Sequence, residues 1–83
     1  MKKEPDHILD IRESIPPISL LKVSQAFRAM KKRETIEILC GDIDTRTDIF
    51  KVLPQFSYEL VLVEELEDED ILFRVQIKKR KNI

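Results

Sequence analysis

The side chains that most often carry chemistry near neutral pH are scarce here: Cys40 and His7 are the only cysteine and the only histidine. A single thiol cannot close an internal disulfide, and one thiol with one imidazole falls short of the three or four N/S ligands of a zinc site. Gly41 is the only glycine, so no glycine-rich loop can cradle a phosphate. No metal and no cofactor is expected on these grounds. Cys40 ends the run Glu34-Thr-Ile-Glu-Ile-Leu-Cys40 and shares a face with Ile36 and Ile38. Such a position suits a cysteine acting as a small buried hydrophobe. An accessible thiol is the alternative reading, and it would make Cys40 a nucleophile once ionised. His7 reads as a surface or strand-edge residue, with no base or nucleophile beside it to form a catalytic pair.

Charge is balanced overall and segregated locally. Fifteen Lys and Arg face sixteen Asp and Glu, a net charge of −1, so no global field draws the chain to nucleic acid or to a membrane. Glu64, Glu65, Glu67, Asp68, Glu69 and Asp70 form an acidic run, and Lys78, Lys79, Arg80 and Lys81 a basic tail. Arg28, Lys31, Lys32 and Arg33 form a second basic cluster and a candidate docking surface for a charged partner. No signal peptide and no apolar run near twenty residues is apparent, which predicts a soluble cytoplasmic protein.

These residues are positioned by short elements with clear periods. His7 to Arg12 alternates as a first strand, with Leu9 and Ile11 on one face. Ser14 offers a cap oxygen, and Pro16-Pro17 suits a first helical turn, where a missing N–H costs nothing. From Pro17 to about Lys32, Leu20, Val23, Phe27 and Met30 recur at helical spacing, supported by Leu21 and Ala26. Glu34 to Cys40 is a second strand, and Gly41-Asp42 breaks it. A second helix is expected from about Thr45, with Thr45 and Asp48 at capping-box spacing and Pro54 ending it. Tyr58 to Glu64 is apolar on both faces, as in a covered strand. The acidic run then turns into a last strand, with Ile71, Phe73, Val75 and Ile77 inward and Leu72, Arg74, Gln76 and Lys78 outward.

The order β-α-β-α-β-β predicts an α/β two-layer sandwich: a mixed four-stranded sheet with both helices on one face. The first two strands should be parallel and the last two an antiparallel hairpin. Residues 1–83 read as a single domain with an ordered core of about 7–79. The second and fourth strands, or whichever lie at the edges, would be open to pairing between chains.

This order and several residues resemble the TusA/SirA-like sulfur-carrier family. Leu9-Asp10-Ile11-Arg12 matches the family's Leu-Asp-x-Arg opening, with Glu13 where the family has Gly. Leu20-Leu21-Lys22 matches the apolar residues and Lys that follow the family's Cys-Pro-x-Pro motif. Gly41-Asp42 through Asp48-Ile49 looks like its Asp-Asp…Asp-Ile segment, and Glu59-Leu60 like its Glu-Leu pair. Aligned without a gap, the motif itself reads Pro16-Pro17-Ile18-Ser19: Pro16 stands at the cysteine, Pro17 at the first proline and Ser19 at the second. The resemblance implies a persulfide-carrying cysteine at the start of the first helix, and proline has no nucleophile to carry sulfur. Ser19 would sit deeper in the helix without a neighbouring base.

Three functions compete on this reading. The first is a non-catalytic protein-interaction or regulatory module related to sulfur-transfer proteins, with a protein partner, of sulfur metabolism by the resemblance. The second is a sulfur carrier or sulfurtransferase using Cys40. The third is an RNA- or DNA-binding module using the basic residues, although the outward sheet residues Leu39, Leu72 and Arg74 are not stacking aromatics.

Overall fold

The structure is a computed structural model that describes residues 4–67 and 71–80. The elements run β1 (His7–Asp10), α1 (Ile18–Ala29), β2 (Thr35–Cys40), α2 (Ile43–Val52), β3 (Tyr58–Glu67) and β4 (Ile71–Lys79). They form one four-stranded sheet in the order β1-β2-β4-β3. β1 and β2 are parallel, joined through α1, and β3 and β4 are an antiparallel hairpin. This is the mixed sheet with two helices that the order of elements predicts. β2 and β4 are the two central strands, so the edges open to pairing are β1 and β3.

One sheet face is apolar because alternate residues of the central strands are apolar. Ile36, Ile38 and Cys40 of β2 meet Phe73, Val75 and Ile77 of β4, register for register, and all six are buried. α1 covers them with Val23 and Phe27, followed by Met30 just past its end, and α2 adds Ile49, followed by Leu53 just past its end. Each fully buried Ile or Val contributes about 1.5–3 kcal/mol relative to exposure. Tyr58 ties the helices to β3, stacked on Phe50 at 6.2 Å and edge-on to Phe27 at 6.5 Å.

The helix boundaries depart from the expected ones for local reasons. Pro17 is the N-cap of α1 and supplies no side-chain cap, so Pro16-Pro17 precedes the helix instead of forming its first turn. Ser14 does not cap either: its Oγ accepts from Lys22 Nζ at 2.9 Å. Leu21 faces solvent and does not support the buried stripe. α2 starts earlier than Thr45, because Asp42 takes the cap. Its carboxylate accepts from the Thr45 N–H at 2.9 Å and from the Thr45 hydroxyl at 2.7 Å. Thr45 is the third helical residue of that cap rather than the cap itself. Pro54 follows the end of α2, as expected.

β3 is the largest correction. Its apolar run lies at a sheet edge, so Leu60, Val61 and Val63 are 54%, 53% and 37% exposed instead of covered. A register shift between Leu60 and Leu62 leaves Val61 without a partner on β4. The strand also continues through Glu64 and Glu65 to Glu67, so half of the acidic run is strand and not turn. Asp68, Glu69 and Asp70 lie outside the described residues, as does Lys81 of the basic tail.

Candidate functional site

The parallel pair β1–β2 sends both chain exits to the same end of the sheet, where each strand gives way to a helix. At this end lies the loop that leads into α1. Ile11 anchors it, buried and with its N–H donating to the Leu39 carbonyl at 2.9 Å. Asp10 and Arg12 brace it: the guanidinium donates to the carboxylate at 2.9 and 2.6 Å, and the Arg12 N–H adds a third bond at 3.0 Å. The Arg12 side chain, then its backbone N–H, hold the Asp10 carboxyl below the usual carboxylate range.

Pro16 and Pro17 follow, both exposed and joined by a cis peptide bond. Neither has an ionisable group or an N–H. Exposed apolar side chains lie at the same end: Ile15 is 71% exposed, Ile18 54%, Leu21 56% and, at the start of α2, Ile43 56%. Ser19 is turned inside. It is fully buried, and its Oγ has no hydrogen-bond partner. A buried hydroxyl with no acceptor cannot pass its proton to a base, so Ser19 is unfit as a nucleophile.

Cys40 closes β2 at the same end but is fully buried. Burial, with a smaller contribution from the Asp42 carboxylate, pushes its pKa up to about 11 against a counteracting Arg46. The thiol is therefore neutral near pH 7, where only the thiolate attacks. His7 cannot serve it. His7 aligns with Ile36, four residues before Cys40 along β2, a separation of roughly 13 Å at about 3.3 Å per residue. His7 instead contacts Glu34 at 2.9 Å. That contact, and then the Lys31 N–H, hold the Glu34 carboxyl low.

The opposite end of the molecule gathers the basic residues. Arg28, Lys31, Lys32 and Arg33 are exposed where α1 ends. Reciprocal backbone bonds join the loop after α1 to the end of β4: Arg33 N–H to Lys79 O, and Lys79 N–H to Glu34 O, each 2.8 Å. Two clusters separate in sequence thus become one surface. Between them is a cleft of about 560 Å³ lined by Met30, Lys31, Lys32, Lys79 and Arg80. Sequence reading missed Lys79 and Arg80 as members of this surface. No signal in the sequence joins them, because the pairing of β2 with β4 is set by the strand order of the sheet.

The outward sheet face has its charges paired among themselves. Gln76 donates to Glu37 at 2.8 Å, while Arg74 lies 3.0 Å from Glu64 and 3.4 Å from Glu37. Among the described residues no group of three His, Cys, Asp or Glu could hold a metal ion. None of the described helices is long and apolar enough to cross a membrane.

The fold has a counterpart among known proteins. No curated protein matches the chain. A SirA-like protein from Desulfitobacterium hafniense has a similar solved structure, with a TM-score of 0.68 at 17% sequence identity; the match covers 90% of this chain and 99% of that one. At that identity the likeness is one of fold. Residues 7–79, from the first residue of β1 to the last of β4, match the family described as sulfurtransferase TusA. The chain belongs to the sulfurtransferase TusA family.

Proposed function

We propose that this chain is a non-catalytic member of its family, a cytoplasmic module that works by binding a protein partner related to sulfur transfer. The observation that carries the reading is the absence of a usable nucleophile among Pro16, Ser19 and Cys40. In sulfur relay a thiolate attacks the outer sulfur of a donor persulfide; the new S–S bond forms as the donor thiolate leaves. That step needs an exposed, ionised sulfur. Pro16, at the family's cysteine position, has none. Ser19 is buried without a base, and Cys40 is buried with its pKa raised to about 11. What stays available is surface: the apolar rim of Ile15, Ile18, Leu21 and Ile43 at one end, and the basic surface of Arg28, Lys31, Lys32 and Arg33 at the other.

A lone reduced thiol fits a reducing compartment. An RNA- or DNA-binding role has less support, since the outward sheet face offers no stacking aromatic among the described residues and Arg74 is already held by two carboxylates. The test is incubation of the native protein with a persulfide donor, read by intact mass beside Cys40→Ala. No sulfur should add to either protein. Addition to the wild type alone would make Cys40 a carrier and end this reading.

A further inference from the structure

The cleft at the far end of α1 has more positive charge than the helix requires. A helix C-terminus attracts cations because its last carbonyls are unpaired. Lys79 is the cation that meets that need, beside the Met30 N–H: its Nζ donates to the carbonyls of Phe27 at 2.9 Å and Met30 at 2.8 Å, and sits 5.0 Å from the centre of the Phe27 ring. Lys31, Lys32 and Arg33 are left over, while the Arg80 guanidinium donates to the Tyr58 carbonyl at 3.0 Å. No carboxylate among the described residues forms an ion pair with any of them, and Glu34, the acid of this loop, is engaged by His7.

The backbone around the cleft is also unusual. Among the described residues, Arg33 at φ 70° and Phe56 at φ 69° are the two with a left-handed backbone, and neither is glycine. Neither lines the cleft, but each is tied through backbone to a residue that does. Arg33 bonds through its N–H to Lys79, and Ser57, next to Phe56, accepts from the Arg80 N–H at 2.9 Å. Left-handed backbone is unfavourable for side-chain-bearing residues and tends to persist where a site needs it. Phe56 is also 72% exposed, an aromatic ring open to solvent one residue before Ser57.

We propose that this cleft is a docking site for an extended acidic segment of a partner protein, with an apolar side chain of that segment seated against Phe56. The inference rests on the reading of the protein as a binding module and names the chemistry of what it binds. Charge complementarity selects an acidic occupant. The confinement of the charge selects a short peptide over a nucleic acid. The molecule is 40 Å in its longest dimension, the strand ends β3 brings Glu64, Glu65 and Glu67 to the other end, and the net charge is −1. A phosphate backbone running past the cleft would gain nothing from the rest of the surface, since screening confines each charge to about 10 Å at 0.1 M salt.

The test uses fluorescence anisotropy of a labelled peptide of alternating Glu and Asp with one central Leu, titrated with the full chain at low salt. Binding is expected to weaken by about tenfold or more in the double variant Lys31→Glu, Lys32→Glu. Phe56→Ser should weaken it about threefold, and Lys22→Glu, at the other end of α1, should leave it unchanged. A peptide that fails to bind, or binds the double variant as well as the wild type, overturns the proposal. So does a single-stranded oligonucleotide that binds more tightly than the peptide under the same conditions. Sulfur uptake in the persulfide experiment would instead sink the functional reading while leaving these titrations to stand or fall on their own.

Discussion

The two ends of the helical layer have had opposite fates. At the end where α1 and α2 begin, Pro16 offers no nucleophile, the hydroxyl of Ser19 is sealed in the core, and the aliphatic side chains of Ile15, Ile18, Leu21 and Ile43 are exposed. At the end where the helices finish, cations from the α1–β2 loop and from β4 converge on one cleft, and two residues hold left-handed backbone. The scaffold between them is ordinary, with the same buried rows on β2 and β4 that any two-layer sandwich needs. Chemistry and scaffold are thus separable in so small a domain. The start of α1 carries no nucleophile, and the core beneath it is complete without one.

This contrast can be broken most forcefully by returning a thiol to the helix start. In Pro16→Cys the new cysteine lies at an exposed position beside the positive end of α1, which favours thiolate. It should react with a disulfide reagent at least about 100-fold faster than Cys40, whose pKa is shifted from 9.0 to about 11 and whose sulfur is buried as well. Equal rates, measured on the native protein with Cys40→Ala as reference, would mean that the helix start has no special character.

The basic end should show its largest structural dependence at Lys79. Lys79→Ala uncaps the carbonyls of Phe27 and Met30 and removes the cation over the Phe27 ring. A loss of about 1–3 kcal/mol in urea unfolding is expected, whereas Lys32→Ala on the same surface should cost under about 0.5 kcal/mol. Similar losses would mean that the cluster acts as a unit and that Lys79 has no separate capping role.

At the other end, Asp42→Ala removes the α2 cap and should cost about 1 kcal/mol. The Thr45 hydroxyl, then the Thr45 N–H, hold the Asp42 carboxyl below its usual range. Its folded pKa is depressed, so the stabilisation is present above the unfolded value near 4 and is lost as pH falls through the lower folded value. The gap between wild type and Asp42→Ala, followed by denaturation from pH 7 downward, should narrow below about pH 4. A constant gap across that range would remove the carboxylate from the account.

The smallest expected effect is at Phe56. Glycine adopts its left-handed backbone without penalty, so Phe56→Gly should raise stability by up to about 1 kcal/mol. A ring kept for binding is one whose removal strengthens the fold and weakens peptide capture. A destabilised variant would show that Phe56 is held by packing.

The fold was largely legible because its periods are clean. The alternation Phe73, Val75, Ile77 and the spacing Val23, Phe27, Met30 assign their faces directly, and both are buried as read. β3 misled because an apolar run on both faces looks the same whether neighbours cover it or a bulge leaves it at an edge. The start of α2 misled because Thr45 and Asp42 are both good caps, and only backbone geometry decides which carboxylate or hydroxyl meets the free N–H groups. The helix-start half of the candidate site could be read from Pro16, Pro17 and Ser19 in a row. The basic cleft could not be assembled, because Lys79 and Lys31 lie far apart in the chain and meet only through sheet register.

The central claim, that the Cys40 thiol is closed to chemistry in the folded protein, is tested most directly by titrating the native wild type with a chromogenic disulfide reagent at pH 7.5, before and after addition of denaturant. The account predicts no reaction until the chain unfolds, and then release of one equivalent from Cys40. Stoichiometric reaction of the folded protein at the rate of a free cysteine would contradict it.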